Sequence, residues 1–129
     1  MTEAILEHAN LTVSNIERTA EMLCDLFGWH VRWHSAPGGS LDGGTSWHVG
    51  GKDSYVAIYS LGGTDRAGNS YTTPGAMNHL GVVVEDLDAV EAKVKARGLE
   101  PYSHADYEPG RRFYFRDWDG IEFEVVSYA

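Results

Sequence analysis

The sequence predicts an α+β chain built from two tandem βαβββ modules whose strands form a curled mixed sheet around a pocket. Three observations predict it. HANLTVSNIERTAEMLCDLFGW, from His8, returns in pattern as HLGVVVEDLDAVEAKVKARGLE, from His79, with histidine falling on histidine. In each copy a strand-like alternation gives way to a helical stripe. Each helix is then followed by three short strand-like runs.

In the first copy, Leu6, His8, Asn10 and Thr12 share one face, while Ile5, Ala9, Leu11 and Val13 share the other. The apolar face should carry the helix. Ser14 followed by Glu17 reads as a capping box, and Ile16, Ala20, Leu23 and Phe27 then recur along one helical stripe until Gly28 closes it. Strands are expected at 29–34, 45–49 and 55–61. Loop 36–46, rich in Gly and Ser, should be a mobile hairpin connection. In the second copy, His79 and Gly81 face one way and Leu80, Val82 and Val84 the other; the helix carries Leu87, Val90 and Val94, and Gly98 stops it. Strands at 99–104, 111–116 and 121–126 follow, the last two joined by a tight two-residue turn at Asp119-Gly120. Module one thus spans about 4–61, a linker about 62–76 and module two about 77–129, all within one domain.

Composition narrows the function. A chain of 129 residues suits one compact unit, and 43% hydrophobic residues with 4 Trp, 7 Tyr and 4 Phe supply a core without disulfides. A formal charge of −9 would repel a phosphate backbone and an anionic membrane surface, so neither nucleic acid nor membrane is an expected partner. The single Cys24, set on an amphipathic helix, reads as an inert buried thiol and favours a reducing compartment. With no apolar run long enough to span a membrane, and MTEAILEH lacking the form of a signal peptide, the expected location is cytoplasmic.

Alternation places Glu122 and Glu124 of the last strand on the pocket face, with Arg112, Tyr114 and Arg116 of its neighbour. The opening strands add His8, Asn10 and His79. Two imidazoles and one of these carboxylates form a set suited to one divalent ion of Fe, Mn, Ni, Co or Zn. A lone histidine in an apolar strand is more often a buried, hydrogen-bonded side chain than a ligand. Equivalent histidines in two copies of a module shift the balance towards metal. Trp29, Val31 and Trp33 should face one way and His30, Arg32 and His34 the other; they and Trp47 with His48 could form an aromatic substrate wall, a subunit contact or simply a buried strand face.

The doubled βαβββ plan, the two opening histidines and the closing FYFRDWDGIEFEVVS resemble the vicinal oxygen chelate superfamily over nearly the whole chain. That superfamily includes glyoxalase I, extradiol ring-cleaving dioxygenases, fosfomycin-resistance enzymes and bleomycin-sequestering proteins. Its metal carboxylate usually comes four residues after the glycine of an Asp-Pro-Asp-Gly turn. Here the turn reads Asp117-Trp118-Asp119-Gly120, with Trp118 in place of proline, so the resemblance implies Glu124 as the ligand beside His8 and His79. Glyoxalase I draws a fourth ligand from the last strand of the first module, where this chain has Tyr59. A phenol is a weak ligand unless deprotonated, so Tyr59 is expected to donate a hydrogen bond at the metal or to pack. Tyr114 matches the tyrosine that hydrogen-bonds substrate oxygen in the ring-cleavage signature, and His104 lies one residue from the position of the histidine that opens it. The further acid-base histidine of the extradiol enzymes has no counterpart in GNSYTTPGAMN, where Tyr71 is the nearest titratable residue. For fosfomycin-type chemistry, Arg112 and Arg116 could receive an anion.

The first expectation is therefore a metal-dependent enzyme acting on a small oxygen-chelating substrate, most like an extradiol-type dioxygenase or a glyoxalase-family lyase or isomerase. His8, His79 and Glu124 would hold the metal, Tyr59 and Tyr114 would orient substrate oxygens, and Asn10, Arg112, His104 and Trp47 would contact substrate. The alternative is a metal-free protein that binds and sequesters a drug-like or antibiotic small molecule between aromatic walls. A homodimer is expected in either case, with the Trp-rich second strand supplying a contact.

Overall fold

The structure is a computed structural model that describes residues 2–107 and 110–129. The chain divides into two compact units between Thr64 and Asp65, inside the expected linker, and both have one plan. The first runs β1 (His8–Thr12), α1 (Ile16–Phe27), β2 (His30–His34), a 3-10 turn at Leu41–Gly43, β3 (Thr45–Gly50) and β4 (Tyr55–Ser60). The second runs β5 (Leu80–Val83), α2 (Leu87–Ala96), β6 (Tyr102–Tyr107), β7 (Gly110–Arg116) and β8 (Glu122–Ser127). The sheets have the orders β1-β4-β3-β2 and β5-β8-β7-β6, with the opening strand parallel to the closing one and the other pairs antiparallel. The predicted α+β plan of two tandem modules is what the chain adopts. No helix among the described residues is long and apolar enough to cross a membrane.

Local chemistry accounts for the helix limits. Asn15, not Ser14, caps α1: its side chain accepts from the Arg18 amide at 3.0 Å, while Ser14 Oγ takes an Arg18 guanidinium N–H at 3.1 Å. Gly28 ends that helix in the left-handed region at φ 68°, donating to the Cys24 carbonyl. In α2, Asp86 caps the Ala89 amide; Gly98 N–H reaches Lys95 O and Leu99 N–H reaches Val94 O, the paired bonds of a Schellman end.

Each helix seals one face of its own sheet. Ile16, Thr19, Ala20, Met22, Leu23 and Leu26 of α1 are buried with Leu11, Val49, Val56 and Ile58 of its sheet. The expected stripe therefore turns from half-buried Phe27 onto Met22 and Leu26, and Cys24 is half-buried rather than fully so, its thiol pushed up by desolvation. In the second unit Leu87, Val90 and Val94 are buried with Phe113, Phe115, Phe123 and Val125, and the Phe115 and Phe123 rings stack at 5.0 Å. Side chains of the alternate register are excluded from these cores and line the opposite faces.

Two connections and two strands differ from expectation. The β7–β8 turn spans residues 117–121: Asp117 bonds Ile121 across its base, its carboxylate accepts from the Asp119 and Ile121 amides, and Gly120 takes φ 83°. A buried acid anchors this turn, which is why it is longer than Asp-Gly alone suggests. The loop between β2 and β3 is knitted by its own bonds, Ser40 N–H to Gly44 O and Ser40 Oγ to Ser46 Oγ. Both second strands carry a register shift, between Val31 and Trp33 in β2 and between Tyr102 and Ala105 in β6, and each shift redirects side chains that strict alternation would have placed elsewhere.

Candidate functional site

In the first unit the face opposite α1 is a run of stacked rings. Registry aligns His8 with Tyr55, Asn10 with Ala57 and Thr12 with Tyr59, so the three β1 side chains share that face as expected. The His8 and Tyr55 rings stack at 4.8 Å, His48 stacks on Tyr55 at 4.5 Å, and Trp33, brought over by the β2 shift, lies 4.7 Å from His48. The Arg32 guanidinium covers Tyr55 at 4.7 Å. His8 Nδ1 is 2.8 Å from Glu7 Oε1, which leaves Nε2 as the ring's available donor atom. Burial holds His48 below the ordinary histidine range, with the charges of His8 and Arg32 acting in the same direction.

Two predicted residues of this unit are used differently. Tyr59 donates its hydroxyl to the Leu41 carbonyl, and its ring lies where a side chain on Gly44 would stand, so it holds the loop before β3. Trp47 pairs with Ile58 and His34, which puts it on the helix side; it lines a 630 Å³ groove with Ser14, Asn15 and His34 at the start of α1, away from His8 and Asn10. The same shift moves His34 to that side while carrying Trp33 off it, which parts Trp33 from Val31.

The second unit gathers most of the predicted chemistry. In register Tyr114 faces Glu124, Arg116 faces Glu122 and Gly81 lies beside Glu124, so these side chains share a face with His79. His79 Nε2 is 3.1 Å from Glu124 Oε1, and the Arg112 guanidinium donates to the other Glu124 oxygen at 2.7 Å. Arg112 and Glu124 are each 14% exposed. The arginine expected to receive an anion is thus committed to the carboxylate beside it. Tyr114 meets His79 edge-on at 5.4 Å and stacks with Tyr102 at 6.3 Å.

Glu122 is the more buried acid, 5% exposed. Its two oxygens accept from the hydroxyls of Tyr71 and Tyr102, one each, and Arg116 lies 3.4 Å away. Burial pushes this carboxyl up, but the Tyr102 and Tyr71 hydrogen bonds, with Arg116 and His79, outweigh it and hold the group below the ordinary range. Burial and the bond to Glu122 push the Tyr102 phenol up to about 12, and the bond to Glu122, ahead of desolvation, raises Tyr71. Asn69 places Tyr71: its carboxamide accepts the Tyr71 amide at 2.9 Å, and its carbonyl takes the Thr73 hydroxyl at 2.8 Å.

His104 does not join this face. The shift in β6 turns it to the helix side, where Nε2 lies 2.9 Å from Glu91 of α2 and the ring stacks with Phe113 at 6.0 Å. The residues that sequence reasoning passed over are Glu7 and Tyr102. Adjacency to His8 could have flagged Glu7; nothing local points from Tyr102 to an acid that sits across β7.

The proton inventory tests whether these residues suit a metal. Tyr71 gives its hydroxyl proton to Glu122, so a hydrogen bond between its oxygen and His79 Nδ1, 3.4 Å away, needs the proton on Nδ1. In the neutral ring Nε2 would then offer a lone pair to Glu124 Oε1, an acceptor facing an acceptor. A positive species between them, either a second ring proton or a metal ion, resolves the conflict. Their 3.1 Å spacing is that of an ordinary N–H···O hydrogen bond, and it would also let both atoms serve as ligands to one ion. Glu122 approaches the opposite ring nitrogen, at 3.8 Å, and so cannot share an ion with Glu124 through His79. Among the described residues no three His, Cys, Asp or Glu side chains gather as a metal-binding group.

Comparison with known proteins decides the family. The model of the Glyoxalase/Bleomycin resistance protein/Dioxygenase superfamily matches residues 5–125. The chain belongs to this superfamily. Its fold is shared by solved structures of the vicinal oxygen chelate type. A glyoxylase/bleomycin resistance protein/dioxygenase domain from Frankia sp. EAN1pec is 23% identical, with 98% of this chain and 93% of that one covered at a TM-score of 0.79. The fosfomycin resistance protein FosX from Mesorhizobium loti is 24% identical over 98% of this chain and 93% of its own, at 0.69. FosX from Listeria monocytogenes, solved with Mn(II) and a sulfate ion, is 20% identical with the same coverage, at 0.70. No curated protein sequence matches. At these identities the likeness carries the superfamily fold alone, and the chemistry of this vicinal oxygen chelate protein rests on its own residues.

Proposed function

We propose that the protein is a divalent-metal-dependent enzyme acting on a small oxygen-chelating substrate, of the extradiol dioxygenase or glyoxalase-type lyase or isomerase kind. The observation that carries this reading is the 3.1 Å approach of His79 Nε2 to Glu124 Oε1, with the Tyr71 hydroxyl oxygen 3.4 Å from the opposite ring nitrogen. His8 is the donor proposed from the first module, because Glu7 takes its Nδ1 and leaves Nε2 for a ligand bond. A divalent ion held by these donors would bind two adjacent substrate oxygens and stabilise negative charge developing on them. Imidazole nitrogen and carboxylate oxygen as donors suit an ion of the nitrogen- and oxygen-loving class, Fe, Mn, Ni, Co or Zn.

The chain's own groups divide the remaining work. Arg112 fixes one Glu124 oxygen and so turns the other towards His79. Tyr114, edge-on to His79 and opposite Glu124, is the group proposed to hydrogen-bond a substrate oxygen, and Asn10 offers a second polar contact on the His8 face. Tyr59 steadies the loop before β3 and is proposed to act through that loop. The expected anion pocket is not favoured: Arg112 is paired with Glu124 and Arg116 with Glu122, and a net charge of −9 opposes an incoming phosphonate. A neutral or weakly acidic substrate fits better.

Metal analysis and calorimetry on full-length protein purified without chelator test this. Uptake of one ion per chain is expected, with affinity falling at least tenfold in Glu124→Gln. If Fe(II), Mn(II), Ni(II), Co(II) and Zn(II) all fail to bind, the metal reading is lost and metal-free sequestration of a small molecule replaces it.

A further inference from the structure

Glu122 is the acid that the metal set leaves unused, yet it is the more buried and the more heavily bonded of the pair. Its oxygens are held separately, Oε1 by Tyr71 and Oε2 by Tyr102 with Arg116. Tyr71 comes from the segment before β5, and its oxygen is also 3.4 Å from His79 Nδ1. Donor and acceptor rules permit one direction only through these three groups. The carboxylate accepts from the phenol, and the phenol oxygen accepts from the ring N–H.

We propose that Tyr71 and Glu122 are positioning residues for His79: a relay from Nδ1–H to the Tyr71 oxygen, and from its hydroxyl to Glu122, fixes the ring so that Nε2 faces Glu124. The role of Nε2 as a ligand rests on the metal reading above; the placement of the Nδ1 proton does not. The first module has the same logic in shorter form, with Glu7 directly on His8 Nδ1 at 2.8 Å. Outer partners of this kind orient a histidine and make it a better donor, and their loss commonly weakens metal binding by about 10- to 100-fold. Glu122 cannot replace Tyr71 by itself. It stands 3.8 Å from Nδ1, and Tyr102 with Arg116 hold its second oxygen.

The test uses full-length 15N-histidine-labelled protein, the variants Tyr71→Phe and Tyr102→Phe, and Mn(II) as the titrant. Tyr102→Phe is the control: it also removes a hydroxyl from Glu122 but none from His79. In metal-free wild type, NMR should show a slowly exchanging proton on His79 Nδ1. Tyr71→Phe should speed its exchange at least tenfold and weaken Mn(II) binding by about 10- to 100-fold, while Tyr102→Phe keeps the proton and stays within about threefold in affinity. A wild-type ring without that proton, or a Tyr71→Phe ring that exchanges as slowly as wild type, overturns the relay whatever the metal does. If the proton behaves as expected but Mn(II) does not bind the wild type, the relay stands and the metal reading falls.

Discussion

Tyr102 is where burial and a buried acid act on one group from two sides, and the outcome is measurable. Its phenol is pushed up to about 12 by desolvation and by its hydrogen bond to Glu122, against an ordinary value of 10.0. A folded-state value above the unfolded one means the neutral phenol is favoured by folding. Its contribution to stability is therefore complete below about pH 10 and is lost as pH rises from there through about 12. Spectrophotometric titration at the tyrosinate band should show one tyrosine ionising near 12 that disappears in Tyr102→Phe, and the variant should lose less stability over that window than the wild type. A wild-type titration in which all tyrosines ionise together near 10 would contradict the buried Tyr102–Glu122 contact. His79, Glu124, Tyr114 and Arg112 were legible as a shared face because β7 and β8 keep strict alternation. His104 and Trp47 were not: the first follows a register shift, and the second lies on the side that Val49 and Ile58 fill with the helix.

At the level of elements, repeat and periodicity predicted both helices and all eight strands, since apolar faces of period two and 3.6 are what each sheet and helix bury against one another. Ends and turns were harder to read, because competing polar side chains sit within one residue of each other. Ser14 and Asn15 are the example. Both precede α1, but only Asn15 has its oxygen on the Arg18 amide. Asn15→Ala should therefore cost about 1 kcal/mol in urea unfolding, as loss of a helix cap does, and Ser14→Ala, which gives up a bond to a side chain, should cost less than half of that. The reverse order would restore Ser14 as the cap. The β7–β8 turn teaches a similar lesson. Asp-Gly was visible in the sequence, but the buried carboxylate of Asp117 sets the turn's length through two amide bonds that no dipeptide pattern encodes.

For the whole molecule, the charge of −9 makes any cation a stabiliser to some degree, so a rise in melting temperature with metal does not alone identify a site. The choice of ion separates the two causes. Mg(II) screens and neutralises acidic surface as Mn(II) does, but it prefers oxygen ligands and gains little from an imidazole. A donor set that includes the His79 imidazole should therefore distinguish them. At free Mn(II) one hundredfold above its dissociation constant, binding only to folded protein adds about 2.7 kcal/mol. For a chain of this length that corresponds to a rise on the order of 10 °C. Mg(II) at the same concentration and ionic strength should give a small fraction of that rise, and Glu124→Gln should remove most of the difference between the ions. Equal shifts with Mn(II) and Mg(II), unchanged in Glu124→Gln, would mean that the acidic surface accounts for the effect and that imidazole nitrogen plays no part in it.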